Sequence, residues 1–238
     1  MYDVSLILPA FNEAATIAAT IRETGLYFQA RALRYEIIVA ADGDDGTREL
    51  ALEAARQGTP VRVIGNQERT GKGRGVREAM ALAGGNIVGY ADADNKVPIA
   101  EFDKFRPWLN QGYQVVIGSR AMQGTRIERR QPLYRQLGGK GFGLFMHAVV
   151  GLAGITDTQC GFKFFTRAAA REIFRRQRID GYMFDVEILA LARALDYRIC
   201  QVPIRWRDDG DSRLALLSGN LRNVIDIFRI RRGMRRQE

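Results

Sequence analysis

The chain reads as an α/β fold, a Rossmann-like, mostly parallel central sheet with helices on both faces, and three observations carry that reading. Short apolar runs alternate with segments of helical period through the first half. Each polar cluster there falls at the carboxyl end of an apolar run. A length of 238 residues, 46% of them hydrophobic, suffices for one sizeable core. In such sheets ligands bind beyond the carboxyl ends of the strands, so the polar clusters are also where function is expected.

Taken in order, Val4 to Leu8 is the first expected strand, followed by Pro9-Ala10-Phe11-Asn12-Glu13 and a helical pattern over Glu13 to Gly25. Tyr35 to Ala41 is the second strand, ending in Asp42-Gly43-Asp44-Asp45-Gly46-Thr47, and Thr47 to Gln57 the next helix. Val61 to Ile64, a helix over Val76 to Ala83, Ile87 to Tyr90 and Val115 to Ile117 complete the alternation; Asp92-Ala93-Asp94 and Gly118-Ser119-Arg120 end the last two strands. The composition changes near Ala121. Residues 126 to 141 are rich in arginine and glycine, Phe184 to Leu195 is helical, and Ile199 to Ile204 is one more short strand. From Leu214 a helix places Leu217, Leu221, Val224, Ile225 and Phe228 on one face before an arginine cluster. Such a helix suits an anionic membrane surface, or else packs on the core with a solvated basic end. The expected organisation is residues 1–120 as one half, 121–213 as the second half of the same domain, and 214–238 as the amphipathic helix.

The two cysteines, Cys160 and Cys200, provide no disulfide framework and fit a reducing, cytoplasmic compartment. No signal peptide is expected at the N-terminus, since no basic region precedes its apolar stretch. No stretch reaches the roughly 18 to 20 apolar residues of a bilayer span; Phe142 to Ile155, with His147 inside it, is too short. The formal charge of +9 comes from 31 arginines and five lysines against 27 acids. Guanidinium groups suit phosphate and carboxylate, so anionic partners are expected. Because arginines are mixed with acids around the candidate site, a nucleic-acid-binding protein remains only a remote alternative.

Asp92 and Asp94 stand one residue apart where an apolar run ends, so in extended backbone their side chains converge. Like charges that close need a cation between them. A solvated turn explains the pair, and so does a hard divalent ion, Mg²⁺ or Mn²⁺, which takes one or two carboxylates and completes its shell with water and phosphate oxygens. Thr70-Gly71-Lys72-Gly73-Arg74-Gly75 fails both the P-loop and the dinucleotide templates, and reads as an ordinary loop or a flexible basic loop near a diphosphate. Cys160 reads as small and structural; Trp206 and Tyr182 either line a site or merely pack.

VSLILPAFNE, IIVAADGDDGT, GKGRGVREAM, YADAD, GSR, TDTQCGFKFFTR, GYMFDVEILALA and VPIRWRDDGDSRL occur in this order. Together they resemble the family 2 inverting glycosyltransferases of GT-A fold, and within them the polyprenyl-phosphate enzymes of the dolichyl-phosphate β-glucosyltransferase type. The resemblance covers about residues 3 to 214. It implies that Pro9, Phe11 and Glu13 border the base and ribose of a nucleotide-sugar, that Asp42 contacts the base, and that Lys72 lies near the diphosphate. It further implies that Asp92 and Asp94 hold the metal, Asp94 more directly, and that Arg120 and Arg135 face an acceptor phosphate. Arg213 closes over the anionic groups, while Asp157, Gln159 and Asp185 line the sugar and acceptor. UDP-glucose is the favoured donor, with GDP-mannose as a second candidate, and a polyprenyl phosphate the acceptor, met at the cytoplasmic face of the membrane by a peripheral protein.

The sequence departs from this pattern in four places. Ala41 stands for the first of the usual paired aspartates and the following turn is one residue shorter. Asn95-Lys96 replaces the residues often found after the second metal aspartate, Gly139 replaces a frequent serine, and the spanning helix of the dolichyl enzymes has no N-terminal counterpart. A lipid monophosphate, mostly dianionic near neutral pH, is already a nucleophile. A soluble hydroxyl acceptor, the alternative, needs a general base, for which Asp185 and Asp157 are the candidates.

Overall fold

The computed structural model describes residues 2–127, 146, 149–207 and 221–234. Strands β1 (Val4–Phe11), β2 (Tyr35–Asp42), β3 (Val61–Ile64), β4 (Ile87–Ala91), β5 (Val115–Ser119), β7 (Phe162–Thr166) and β8 (Ile199–Pro203) form a sheet in the order β3-β2-β1-β4-β7-β5-β8. Every neighbouring pair is parallel except those made by β7, which runs antiparallel to both β4 and β5. β6 (Arg126–Ile127) and β9 (Arg205–Trp206) pair separately. The helices are α1 (Ile17–Ala30), α2 (Thr47–Arg56), α3 (Lys72–Leu82), α4 (Arg106–Asn110), α5 (Arg167–Arg176), α6 (Phe184–Ala194) and α7 (Leu221–Met234).

Side chains alternate across the sheet, so one strand feeds two cores. Leu6, Leu8, Ile37 and Val39 join Ile17, Phe28, Phe102 and Phe105 on the α1 and α4 face. Ile7, Ile38, Val88 and Tyr90 meet Val76, Ile173, Phe184, Ile188 and Ile227 on the face covered by α3, α5, α6 and α7. The parallel strands expected from the apolar runs are all present. β1 continues three residues past Leu8 because Pro9 lies beyond the last residue paired with β4, where its missing N–H breaks no ladder on that side. The following helix therefore starts at Ile17 rather than Glu13.

Two elements differ from expectation more deeply. β7, inside DTQCGFKFFT, is the antiparallel insertion between β4 and β5, and α5 follows it with Thr166 capping the amide of Ala169. In α7 the core-facing residues are Asn223, Asp226, Ile227 and Ile230, while Ile225 and Phe228 face outward. The expected apolar face is thus the outer one. Leu214, Leu217, Gly139 and His147 lie outside the described residues. Among the described residues no helix is long and apolar enough to cross a membrane.

Candidate active site

The carboxyl ends of β1, β2, β4 and β5 and the entry to β7 share one rim of the sheet, because an antiparallel strand enters where its neighbours leave. Asp92 follows β4 directly. Its amide donates to the Gly161 carbonyl at 3.1 Å, and a Cβ on Gly161 would stand 2.0 Å from Asp92 Oδ2, so only glycine leaves room for the carboxylate. Lys72 Nζ donates to Asp92 Oδ1 at 2.6 Å. Asp94 pairs with Lys96 Nζ at 3.2 Å and accepts from the Lys96 amide at the same distance. Burial and the neighbouring Asp92 charge push the Asp94 carboxyl up against the opposing pull of Lys96. Burial alone would lower Lys72, but Asp92, Asp185 and Asp94 hold it above its ordinary value and charged. The cations that the sequence demanded for this doublet are therefore partly supplied by the chain.

Asn95 takes a left-handed conformation, φ 55°, which turns the chain back after Asp94; its side-chain amide donates to Glu23 Oε2 at 2.6 Å. Lys72 does not sit on a flexible loop. It opens α3, whose Gly73 and Arg74 amides donate to the Asp180 carbonyl at 2.8 and 3.3 Å. A Cβ on Gly71 would fall 2.3 Å from that oxygen, and one on Gly73 2.3 Å from the Ile179 carbonyl. These glycines serve close backbone packing, and the first helical amides are not left open for phosphate.

At the end of β5, Arg120 forms a two-pronged pair with Asp157: Nε to Oδ2 at 2.7 Å and Nη2 to Oδ1 at 2.9 Å, with the Arg120 amide also donating at 3.0 Å. Burial pushes the Asp157 carboxyl up, but the adjacent guanidinium outweighs it and holds the group at about 2. Trp206 packs 5.5 Å from the same guanidinium. Gln159 donates its amide to Asp157 Oδ1 at 3.2 Å, and its buried Nε2 has no hydrogen-bond partner among the described residues. Cys160 is buried and its thiol is pushed up to about 12 by that burial, as befits a structural residue.

Asp185 lies elsewhere than the rim surface. It is 2% exposed and accepts from Lys163 Nζ and the Tyr90 hydroxyl, with Lys163 itself fully buried and donating to the Cys160 carbonyl at 2.6 Å. At the β1 and β2 ends, Pro9 is buried and Glu13 accepts from Thr16 Oγ1 at 3.2 Å while its amide donates to Thr47. Asp42 accepts from the amides of Asn66 and Thr70 and from Thr70 Oγ1, fixing the loop between β3 and α3. Within that loop Arg69 lies 4.4 Å from the Phe11 ring centroid and donates to the Tyr182 hydroxyl at 2.7 Å. The rim thus gathers Pro9, Phe11, Glu13, Asp42, Lys72, Asp92, Asp94, Arg120, Asp157 and Gln159. Arg135 and Arg213 lie outside the described residues. Sequence reasoning named Lys96 only as a departure after the second aspartate, and singled out none of Gly161, Arg69 and Lys163. Only Gly161 carried a signal, a glycine at the mouth of an apolar run.

Residues 5–174 match the Glycosyl transferase family 2. The chain belongs to that family. Dolichyl-phosphate beta-glucosyltransferases are among the relatives of this glycosyltransferase. One from Trichomonas vaginalis is 33% identical over 95% of this chain and 70% of its own length, and that from Drosophila melanogaster 32% identical over 96% and 74%. The human enzyme is 30% identical over 96% of this chain and 74% of its own length. Among solved structures, glucosyl-3-phosphoglycerate synthase from Mycobacterium tuberculosis with phosphoglyceric acid superposes with a TM-score of 0.69 over 97% of this chain and 80% of that one, at 23% identity. The same synthase with Mn²⁺, UDP-glucose and glycerol 3-phosphate gives 0.68 at 22%. At that identity the likeness concerns the fold, which is GT-A.

Proposed function

We propose that this family 2 glycosyltransferase moves glucose, with inversion, from UDP-glucose to a polyprenyl phosphate of the dolichyl type at the cytoplasmic face of a membrane. The relatives named above support the sugar and the acceptor class, since about a third of residues agree over nearly the whole chain. The observation that carries the choice of acceptor is electrostatic. Both acids that could serve as general base, Asp157 and Asp185, are committed to ion pairs, one with Arg120 and one with buried Lys163. Asp157 is a poor proton acceptor at about 2. An acceptor that arrives as a phosphate anion needs no base, whereas a sugar hydroxyl does.

In this reading Phe11, Pro9 and Glu13 flank the nucleoside and Asp42 orders the loop that borders it. Lys72 and the Asp92–Asp94 doublet meet the diphosphate, and Arg120, paired with Asp157, lies where the acceptor phosphate approaches. The residues fit a divalent ion: two carboxylates on one turn, one backed by a glycine and the other held above its ordinary range by burial and its neighbour. Water and the phosphate oxygens of the substrate would complete the shell of such an ion. When bound, Mg²⁺ or Mn²⁺ would act as a Lewis acid on the leaving diphosphate. Catalysis by the chain itself is then the positioning of two anions against fixed positive charge.

The test is transfer of radiolabelled glucose from UDP-glucose to a polyprenyl phosphate, set beside soluble hydroxyl acceptors and beside GDP-mannose as donor. An organic-extractable glucosyl lipid is expected. Product formed only on hydroxyl acceptors overturns the reading. D94A should abolish turnover and manganese binding by calorimetry while leaving the circular dichroism spectrum unchanged.

A further inference from the structure

Helix α7 carries two faces of different kind. Asn223, Asp226, Ile227 and Ile230, spaced i, i+3, i+4 and i+7, turn inward. On the opposite side Ile225 and Phe228 are 42% and 51% exposed, with Arg232 one turn beyond Phe228 and also exposed. Arg222 and Arg229 border this strip on one side and Arg231 on the other, all exposed. Among the described residues the nearby acids are turned from it: Asp226 is buried and accepts from Arg229 at 3.1 Å, Glu172 holds Arg175 and Arg176, and Glu187 is turned inward to accept from the amides of Arg178 and Ile179. On the Arg229 flank the helix borders a cleft of ≈ 500 Å³ with Arg176, Arg178 and Arg229 around an apolar floor of Ile179, Leu191 and Ile230. Exposed aliphatic and aromatic side chains framed by exposed guanidinium groups match the boundary between headgroups and acyl chains of an acidic membrane.

We propose that the outer face of α7, continued by the arginine-rimmed cleft, docks this protein on an anionic lipid bilayer. Ile225 and Phe228 enter the interface, and Arg222, Arg229, Arg231 and Arg232 meet lipid phosphates. Docking also has a route to the rim. Asp226 lies beside Gly181, where a Cβ would stand 3.9 Å from Oδ2, and the same segment supplies the Asp180 carbonyl that holds α3 and the Tyr182 hydroxyl that holds Arg69. The inference rests on the lipid-acceptor reading only in that such an acceptor is met in a bilayer.

The test is co-sedimentation of the full chain with phosphatidylcholine vesicles, with and without about one third phosphatidylglycerol, run beside glucose transfer to a short-chain polyprenyl phosphate in detergent micelles. Binding to the acidic vesicles only, weakening as salt rises, is expected. R231A/R232A should lower the affinity about 25-fold, at roughly fivefold for each basic residue removed near an acidic surface. I225S/F228S should lower it about tenfold or more through lost apolar insertion, with the melting temperature and micellar transfer unchanged. The tryptophan of I225W should shift its emission to the blue on acidic vesicles. Equal binding to both vesicle types, no binding, or parental binding by I225S/F228S overturns the proposal, as does a dimer that this variant dissociates in a protein that ignores vesicles. Transfer in micelles without vesicle binding defeats docking and leaves the acceptor reading standing. Vesicle binding without transfer to any lipid phosphate does the reverse.

Discussion

Gly161→Ala is the sharpest test of the rim geometry. The added methyl carbon would lie 2.0, 2.3 and 2.5 Å from Asp92 Oδ2, Cγ and Oδ1, so no rotation of the carboxyl group in place relieves the clash. Ordinary contact begins at 3.4 Å, and reaching it requires Oδ2 to move 3.4 − 2.0 = 1.4 Å. A displacement of that size does not leave the 2.6 Å contact with Lys72 Nζ as it is. A misplacement of about 1 Å in a positioned group costs on the order of 10²-fold in rate, so kcat/KM for glucose transfer should fall by at least that factor. Because the change is confined to one half-buried carboxylate and one side-chain contact, the melting temperature should move by no more than about 4 °C. Steady-state transfer assays and manganese calorimetry on G161A measure the first effect, and differential scanning calorimetry the second. An alanine variant with parental kcat/KM would refute both the close approach and the placement of Asp92 at the reacting diphosphate.

Two other perturbations probe the ion pairs. Asp157 titrates at about 2 against an ordinary 3.8, so its pairing with Arg120 contributes roughly 2 kcal/mol, present above about pH 4 and lost as the pH falls through the folded value. D157N should therefore melt lower than the parent at pH 5, and the gap should close by pH 2; a constant gap between the two melting curves would remove the assignment. K163M removes the cation that donates to the buried Asp185 carboxylate, leaving it the Tyr90 hydroxyl as hydrogen-bond donor among the described residues, and should cost about 3 to 5 kcal/mol in urea unfolding. K163M/D185L, which removes both charges, should recover most of that loss. Equal stability of the two variants would show that the buried charge is not what destabilises the first.

The parallel strands were legible because each is an apolar run bounded by turn residues, and burial on both faces requires such runs. β7 was not, since its second residue is a lysine and its pairing is antiparallel, which strand–helix alternation cannot anticipate. Lys163 is compatible with the interior only through Asp185, 22 residues away, a separation that no periodicity reports. The outer face of α7 was visible as an amphipathic pattern, but which stripe met the core depended on a partner surface built from α5 and α6. Within the site, the doublet and Arg120 announced themselves by their position at strand ends. The pairing of lysines with the doublet did not, because Lys72 reaches Asp92 from the start of α3, 20 residues earlier, and Lys96 sits in a turn of ordinary composition.

The reversed strand has one more consequence. Gly161 backs Asp92 on one side of β7, and Asp157, four residues earlier, grips Arg120 on the other. A five-residue hinge pin thus joins the acid doublet to the guanidinium, so a substitution that slackens this entry segment must detune both at once, and neither side can drift independently of its counterpart.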